Sequence, residues 1–533
     1  MKRIVLVFFI FSLVLQLDAQ PYTLSLKPLS VPNLGGLQSY AFGQSNGKWL
    51  LIGGRLDGLH RRQPWASFDQ AGHNNQLWVV DPVAGISYSA PLTALPTSVQ
   101  EQLSSTNMEF YQRGGILYVV GGYGYSPTAA DHTTFPYMCA IDVDAAIQAV
   151  IQGGSLQAHI RQISDPLFQV TGGHLDKIGS DFYLLGGQKF IGRYNPMGPT
   201  HGPGFIQEYS NSIRVFSIQD DGTNVSVQWK QTYTDAAELH RRDYNAEAQI
   251  KADGSEGITM FSGVFQPTVN LPFLNNVDVD SLGYYPNASF QQKFNHYHCP
   301  VIPMYSNETK EMHNLFFGGI AQFYMDGGQI IQDDDVPFVR SISLVKRDSL
   351  GNMSEVLMPI QMPNYLGASA EFIPNEELKS FSNGVFKLDS LSSDSSLLGH
   401  IFGGINSSDK NIFFINDGTQ SSASQVIYEV WLTPSALGIG ESQIKNKAKN
   451  IRIVPNPNHG HFDVEFGKAP TRGIIEWAVY TNDGKSVQSG VEDVNSLGEN
   501  RFSVRLKESL AKGAYQLRVQ SDDINATSSF FIE

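Results

Sequence analysis

Cysteine is almost missing from this chain: Cys139 and Cys299 are the only two in 533 residues. That excludes a disulfide-stapled scaffold and a thiolate-rich zinc site, each of which needs several cysteines. Charge is thin as well. Charged residues make up 17% of the chain, 51 acidic against 37 basic, for a net charge of −14. A weakly charged, acidic surface excludes nucleic acid as a partner and offers nothing to hold anionic lipid. Long apolar runs are absent beyond the first twenty residues, so no transmembrane segment is expected. There is no P-loop, Rossmann fingerprint, His-Glu-x-x-His or Cys-x-x-Cys, and the sequence names no cofactor.

The one apolar run lies at the start. Lys2 and Arg3 precede Ile4 to Leu17, and Leu17-Asp18-Ala19 stands before Gln20. A basic start, a short apolar stretch and a small residue at Ala19 make residues 1–19 a cleavable signal peptide. The mature protein is therefore expected to be secreted or attached to the outer surface.

What the chain has in plenty is a repeat. A short apolar strand runs into a glycine pair at Trp49–Gly54, Leu117–Gly122, Phe182–Gly187, Leu315–Gly319 and His400–Gly404. A weaker copy, Thr259-Met260-Phe261-Ser262-Gly263, falls between the third and the fourth of these. Each copy follows a strand and a tight polar turn such as Gln44–Lys48, and a further β-rich run such as Leu77–Asp81 or Val426–Trp431 comes later. Four antiparallel strands, six times over, with no convincing amphipathic helix between them, predict an all-β propeller. This pattern resembles the kelch family of β-propellers, whose repeats carry a glycine pair at the end of the second strand. The resemblance covers residues 22–434 and implies a six-bladed ring. The last repeat lacks a fourth strand, and Tyr22–Leu26 is expected to supply it and close the ring. Cys139 and Cys299 would lie on opposite sides of that ring, as buried free thiols.

From residue 451 the text changes. Pro455-Asn456-Pro457-Asn458-His459-Gly460-His461-Phe462 opens a run of alternating strands, Tyr480 to Lys485 includes Gly484, and Gly513-Ala514-Tyr515 comes late. Alternation with Asn-Asp-Gly turns predicts a small β-sandwich over 451–533. The segment is similar to the C-terminal (Por-type, type A) sorting domain of the type IX secretion system. That resemblance implies an outer-membrane secretion translocon and a sorting peptidase as partners, with residues 435–450 as the linker between domains.

In up-and-down sheets of this kind the loops after strand two leave from one rim, and those loops are the long ones here. An elaborated face of this sort is a binding face. Its candidates are Arg61, Arg62, Trp65, Tyr125 and Tyr194, residue types that stack on sugars or pair with carboxylates. Along the innermost strands His174, Arg242, Tyr244, His296, His298 and Glu371 are expected to converge on the channel. His296 and His298, two apart on a predicted strand, would face one way, but no third metal ligand has a fixed spacing, and no metal is assigned. Two readings follow. One is a surface protein that binds a glycan or an extracellular protein; the other is a carbohydrate-active enzyme (hydrolase, epimerase or oxidase) with its site at the channel mouth.

Overall fold

The computed structural model describes residues 22–197, 204–434, 451–466, 474–481, 485–493, 500–506, 510–520 and 525–533. The signal segment 1–19, the linker 435–450 and Gly484 lie outside the described residues. The chain divides into two compact units, residues 24–433 and a second within 434–533.

The larger unit is all-β in plan. Six sheets follow one another along the sequence, all of four strands except the fifth, where Phe386–Lys387 adds a short parallel strand beside Val301–Tyr305. The first holds Ala41–Ser45, Lys48–Ile52, Gln76–Asp81 and Ile86–Pro91. The next four begin with Glu109–Arg113, His174–Ile178, Asn245–Ile250 and Val301–Tyr305. The sixth orders Ala370–Pro374, Ser396–Gly403 and Ile427–Pro434, and its outer strand is Tyr22–Leu29 from the N-terminus. The N-terminal strand thus covers the open edge of the last sheet, as the missing fourth strand required.

The segment leading into each sheet is tied to its neighbour by one backbone hydrogen bond. The N–H of Asn107 donates to Ser39 O, Gly172 to Asn107, Asp243 to Gly172, His298 to Asp243, Ser369 to His298, and Ser39 to Ser369. The six bonds, at 2.8 to 3.1 Å, return to their starting residue. A second set uses the glycine pairs. Gly54, Gly122, Gly187 and Gly319 each donate to a carbonyl in the lead-in of the following sheet, and Gly404 donates to Leu37 of the first. Here the need for glycine is explicit. Gly318 has φ +65°, and a Cβ built on it would sit 1.9 Å from Leu366 O. Where the fourth copy has Ser262, its φ is +54° and its Oγ donates to Phe273 O at 2.7 Å. The hydroxyl bond accompanies a conformation that side chains avoid.

The sequence shows no convincing amphipathic helix between the strands, yet the described residues hold two α-helices, Thr97–Leu103 and Val143–Gln152. The second is capped by Asp142, whose carboxylate accepts from Ala145 N, and ends at Gly153 with φ +69°. Val143, Ala146, Ile147 and Val150 pack with Leu50, Ile52, Leu77 and Val79 of the first sheet. The helix thus follows Tyr137–Asp142 of the second sheet and packs on the first. Both cysteines are buried and free.

The second unit has a three-stranded sheet (Ile451–Val454, His461–Phe466, Arg501–Arg505) and a four-stranded one (Ser486–Asp493, Ile474–Thr481, Gly513–Gln520, Asn525–Ile532). Their inner faces share one core of Phe462, Val464, Val479, Val504, Leu517 and Phe530. The Pro455–Phe462 segment latches the final strand. Asn456 Oδ1 accepts from Phe531 N at 2.8 Å, and Asn458 exchanges backbone bonds with Phe531 and Glu533. Asn458 Oδ1 accepts from Gly460 N at 2.8 Å, Pro455 O accepts from the Asn458 amide, and Pro457 lies between the two asparagines. The Phe462 and Phe530 rings lie 4.6 Å apart, and Tyr515 donates its hydroxyl to Ala511 O. Gly513 pairs with Ile532 at the end of the same ladder.

Two glycine variants separate the causes of the glycine requirement. Gly114 lies in a hairpin turn at φ +60° with nothing within 4 Å of a built Cβ. Gly114→Ala is expected to cost ~1–2 kcal/mol through φ alone. Gly318→Ala adds the clash with Leu366 and should cost roughly 3 kcal/mol or more. Calorimetric melting of both variants checks this; equal losses would show that the close approach to the next sheet does not matter.

Candidate functional site

The long connections after the second strands are 53–75, 121–136, 186–211, 262–275, 318–340 and 404–426. Four of them build hairpins. Tyr123–Ser126 with Asp131–Thr134, and Gln188–Ile191 with Ile206–Tyr209, join into one accessory four-stranded sheet. Phe323–Asp326 pairs with Gln329–Gln332, and Ile405–Ser407 with Ser421–Ala423. A cavity of about 290 Å³ opens among them, and every one of the six connections contributes to its wall: Arg62, Tyr123, Tyr194, Phe265, Ile320 and Phe414 are examples.

Aromatic rings dominate that wall, packed mostly edge to face. Phe68, Tyr123, His60 and Tyr194 form one cluster with ring centroids 5.0 to 6.0 Å apart. Arg242 lines the cavity as well. Its Nε donates to Tyr209 Oη at 3.0 Å, it pairs with Asp243, and its guanidinium lies 5.2 Å from the Phe265 ring. Burial opposes its charge, but Asp243 and the neighbouring tyrosine hydroxyls more than offset this and raise its pKa. Arg62 lies 5.3 Å from the Phe414 ring. Arg55, 2% exposed, is held by Asp57 through two hydrogen bonds of 2.7 and 2.6 Å and by Asp69 O, while its Nη1 has no partner. His60 is pushed down to about 4, first by burial and then by the charges of Arg242 and Arg55, so it is neutral.

A second cavity of about 310 Å³ is lined by the first strands of the sheets, and it shares Ser39, Asn107, Asp243 and His298 with the first. All four belong to the backbone belt, which therefore lies between the cavities. His174, Tyr244, His298 and Glu371 meet here. His174 Nε2 contacts Tyr244 O at 2.5 Å, and its ring centroid is 5.7 Å from that of His298. His298 Nε2 lies 3.3 Å from Glu371 Oε1. Burial lowers the pKa of His298, but the Glu371 carboxylate more than offsets this and the net shift is upward. Burial, with His298 next, takes His174 down to about 3. The carboxyls around them are raised by burial: Glu109 to about 8, Asp176 to about 7, and Glu247 well above its ordinary value.

Of the sequence candidates, Arg62, Tyr194 and Arg242 line the first cavity, and His174, Tyr244 and Glu371 the second, while His298 lines both. Trp65 is 72% exposed on a short 3-10 turn, lines neither cavity, and accepts from Arg193 through its carbonyl. Arg61 lies against Gly418, and Tyr125 packs edge-on to His132; both are outside the lining. His296 needs a correction. Neither it nor His298 is on a strand, and it does not face the way His298 does: it is fully buried, with Nε2 bonded to Gln292 O and Nδ1 accepting from Gln322 N. Its local turn, not strand alternation, sets its direction.

The sequence reading missed Phe265, Tyr297, Phe413 and Phe414. The last two stand in an apolar run inside an otherwise polar connection, and that contrast was the available signal. It also passed over Ser45, which has nucleophile-elbow spacing between Gly43 and Gly47. Ser45 ends a hairpin strand, bonds Asp144 and lines neither cavity.

The His298–Glu371 pair makes stability depend on pH. The folded pKa of His298 is raised, so its stabilisation is fully present below the unfolded value of about 6.5 and is lost as pH rises through the folded pKa. Glu371→Gln is expected to lose stability at about pH 6, with the gap to wild type closing toward about pH 9. Denaturant melts across that range check it; a gap that stays constant would separate the loss from His298.

Three comparisons bear on identity. Residues 452–533 match the family model of the secretion system C-terminal sorting domain. No curated protein matches the chain. Among solved structures the chain is similar to a novel fungal alcohol oxidase of the AA5 family in complex with copper (10% identity, covering 96% of this chain and 100% of that one, TM-score 0.36). It is also similar to the protein YjhT (12% identity, 76% and 98% covered, TM-score 0.41). Likeness at this level assigns neither chemistry nor ligand. No described helix is long and apolar enough to cross a membrane. The C-terminal unit is a type IX sorting tail, which engages the secretion machinery and its sorting peptidase and takes this protein to the cell surface or beyond.

Proposed function

We propose that residues 22–434 form a closed six-bladed kelch-like propeller that binds an extracellular ligand, a glycan or a protein, on its insertion face. A signal peptide at 1–19 and cleavage near 435–450 would complete the route to the surface. The observation that carries the reading is the common cavity: six connections scattered over the sequence all contribute side chains to one aromatic, arginine-bearing wall. Aromatic faces and guanidinium groups recognise sugars and carboxylates by stacking and by paired hydrogen bonds.

One observation favours an enzyme instead. The His298–Glu371 pair, at 3.3 Å, has the form of an imidazole oriented by a carboxylate, and His298 reaches the first cavity. In that reading the substrate is a carbohydrate and the pair moves a proton.

A glycan array and an extracellular-protein binding screen with the full secreted chain test both readings. Tyr194→Ala and Arg242→Ala are expected to weaken binding at least tenfold (~1.4 kcal/mol), and Glu371→Gln to leave it within about threefold. Weakening by Trp65→Ala as well would mark an extended ligand that crosses the rim. Turnover of a bound glycan that Glu371→Gln abolishes would favour the enzyme. Binding unaffected by Tyr194→Ala and Arg242→Ala would remove the cavity from the account.

A further inference from the structure

We propose that the insertion-face cavity is specific for a sugar acid, one pyranose-sized ring whose carboxylate is taken by Arg62 and Arg55. This rests on the reading of that cavity as the binding site and names the class of ligand.

The first support is charge. Three guanidinium groups, Arg55, Arg62 and Arg242, line the cavity, with no lysine and with Asp243 as the only carboxylate. The chain as a whole is −14, so a cationic cavity reverses the sign of its surroundings. Asp243 is already committed: it pairs with Arg242 and accepts from the Asn107 amide at 3.4 Å. Arg55 is held by Asp57, so among the described residues Arg62 is the guanidinium of the three left without a carboxylate partner.

The second support is unspent donors. Arg55 gives Nε and Nη2 to Asp57 and Asp69, yet Nη1, in a side chain 2% exposed, has no partner. A buried guanidinium N–H without an acceptor is costly, and an acceptor brought by a ligand recovers that cost. Among the described residues the Arg62 guanidinium has no carboxylate partner and stacks only on Phe414. Arginine offers planar, paired donors, and a carboxylate is the acceptor that matches them.

The third support is size and wall chemistry. A cavity of about 290 Å³ is at the small end of ligand pockets, which suits one ring and not a chain. Gln38, Asn107 and Gln188 offer amides for hydroxyls, and Phe68, Tyr194 and Phe265 offer flat faces. A neutral hexose would fill the same space but leave the arginine donors unpaired, which is how a polar site rejects an analogue lacking the matching group.

Calorimetric titration of the full secreted chain with glucuronate, galacturonate and mannuronate, each against its parent hexose, tests this. At least one uronate is expected to bind tenfold or more tightly than its hexose. Arg62→Gln should erase that preference while the melting temperature stays at the wild-type value. Trigalacturonate against the monomer separates a chain end from a free sugar acid, and a preference for either uronate form over glucose supports the class. Equal binding of hexose and uronate overturns the sugar-acid proposal and leaves the cavity as a neutral-glycan site. Binding of none of these overturns it too, and hits on the array or the protein screen then decide the broader reading separately.

Discussion

The geometry of the larger unit depends on six backbone hydrogen bonds, each joining the lead-in of one sheet to that of its neighbour and together closing on themselves. They set all six first strands at one level. Because each second strand runs antiparallel to the first, every second strand returns toward the belt and ends beside it. The connections that follow are then delivered to the same region. The glycine pairs repeat the tie one layer out, with Gly404 to Leu37 joining the last sheet to the first. A side chain at Gly318 or Gly403 would strike the carbonyl that it must approach. Sheet packing and the N-terminal edge strand then support a frame already drawn by the backbone.

That dependence explains what was legible in the sequence. The Gly-Gly copies stand out because the constraint behind them is local and admits almost no other residue; the five of them, with the Ser262-Gly263 variant, located six second strands. The tail was legible for a similar reason. Its Pro-Asn-Pro-Asn-x-Gly-x-Phe opening is a hydrogen-bonded latch on the last strand, so the pattern is dense in residues with fixed roles. The helix Val143–Gln152 was not legible. Its apolar residues face another sheet instead of a partner helix, and a ten-residue helix gives little periodicity to read. The accessory sheet formed by two separate connections is a tertiary event with no signature in either one.

The candidate site was legible as a face more than as a list. Arg62, Tyr194 and Arg242 come to the cavity, whereas Trp65 and Arg61, on the same connection as Arg62, and Tyr125, on the next, turn elsewhere. Long connections fold on themselves, and sequence position does not say which aromatic points inward. His296 shows the same limit: strand alternation cannot be applied to a turn. The belt also divides two electrostatic environments. Arginines line one side, and on the other burial holds the carboxyls of Glu109, Asp176 and Glu247 toward their neutral forms. His298 belongs to both sides, tied to Glu371.

Residue-resolved hydrogen exchange at the amides of Ser39, Asn107, Gly172, Asp243, His298 and Ser369 tests the central claim most directly. If the belt is the frame, all six exchange only with global unfolding, at one common free energy, and they outlast the amides of the insertion hairpins. Fast exchange at any one of the six, independent of the others, would mean that the belt opens there and that the shared cavity is held by something else.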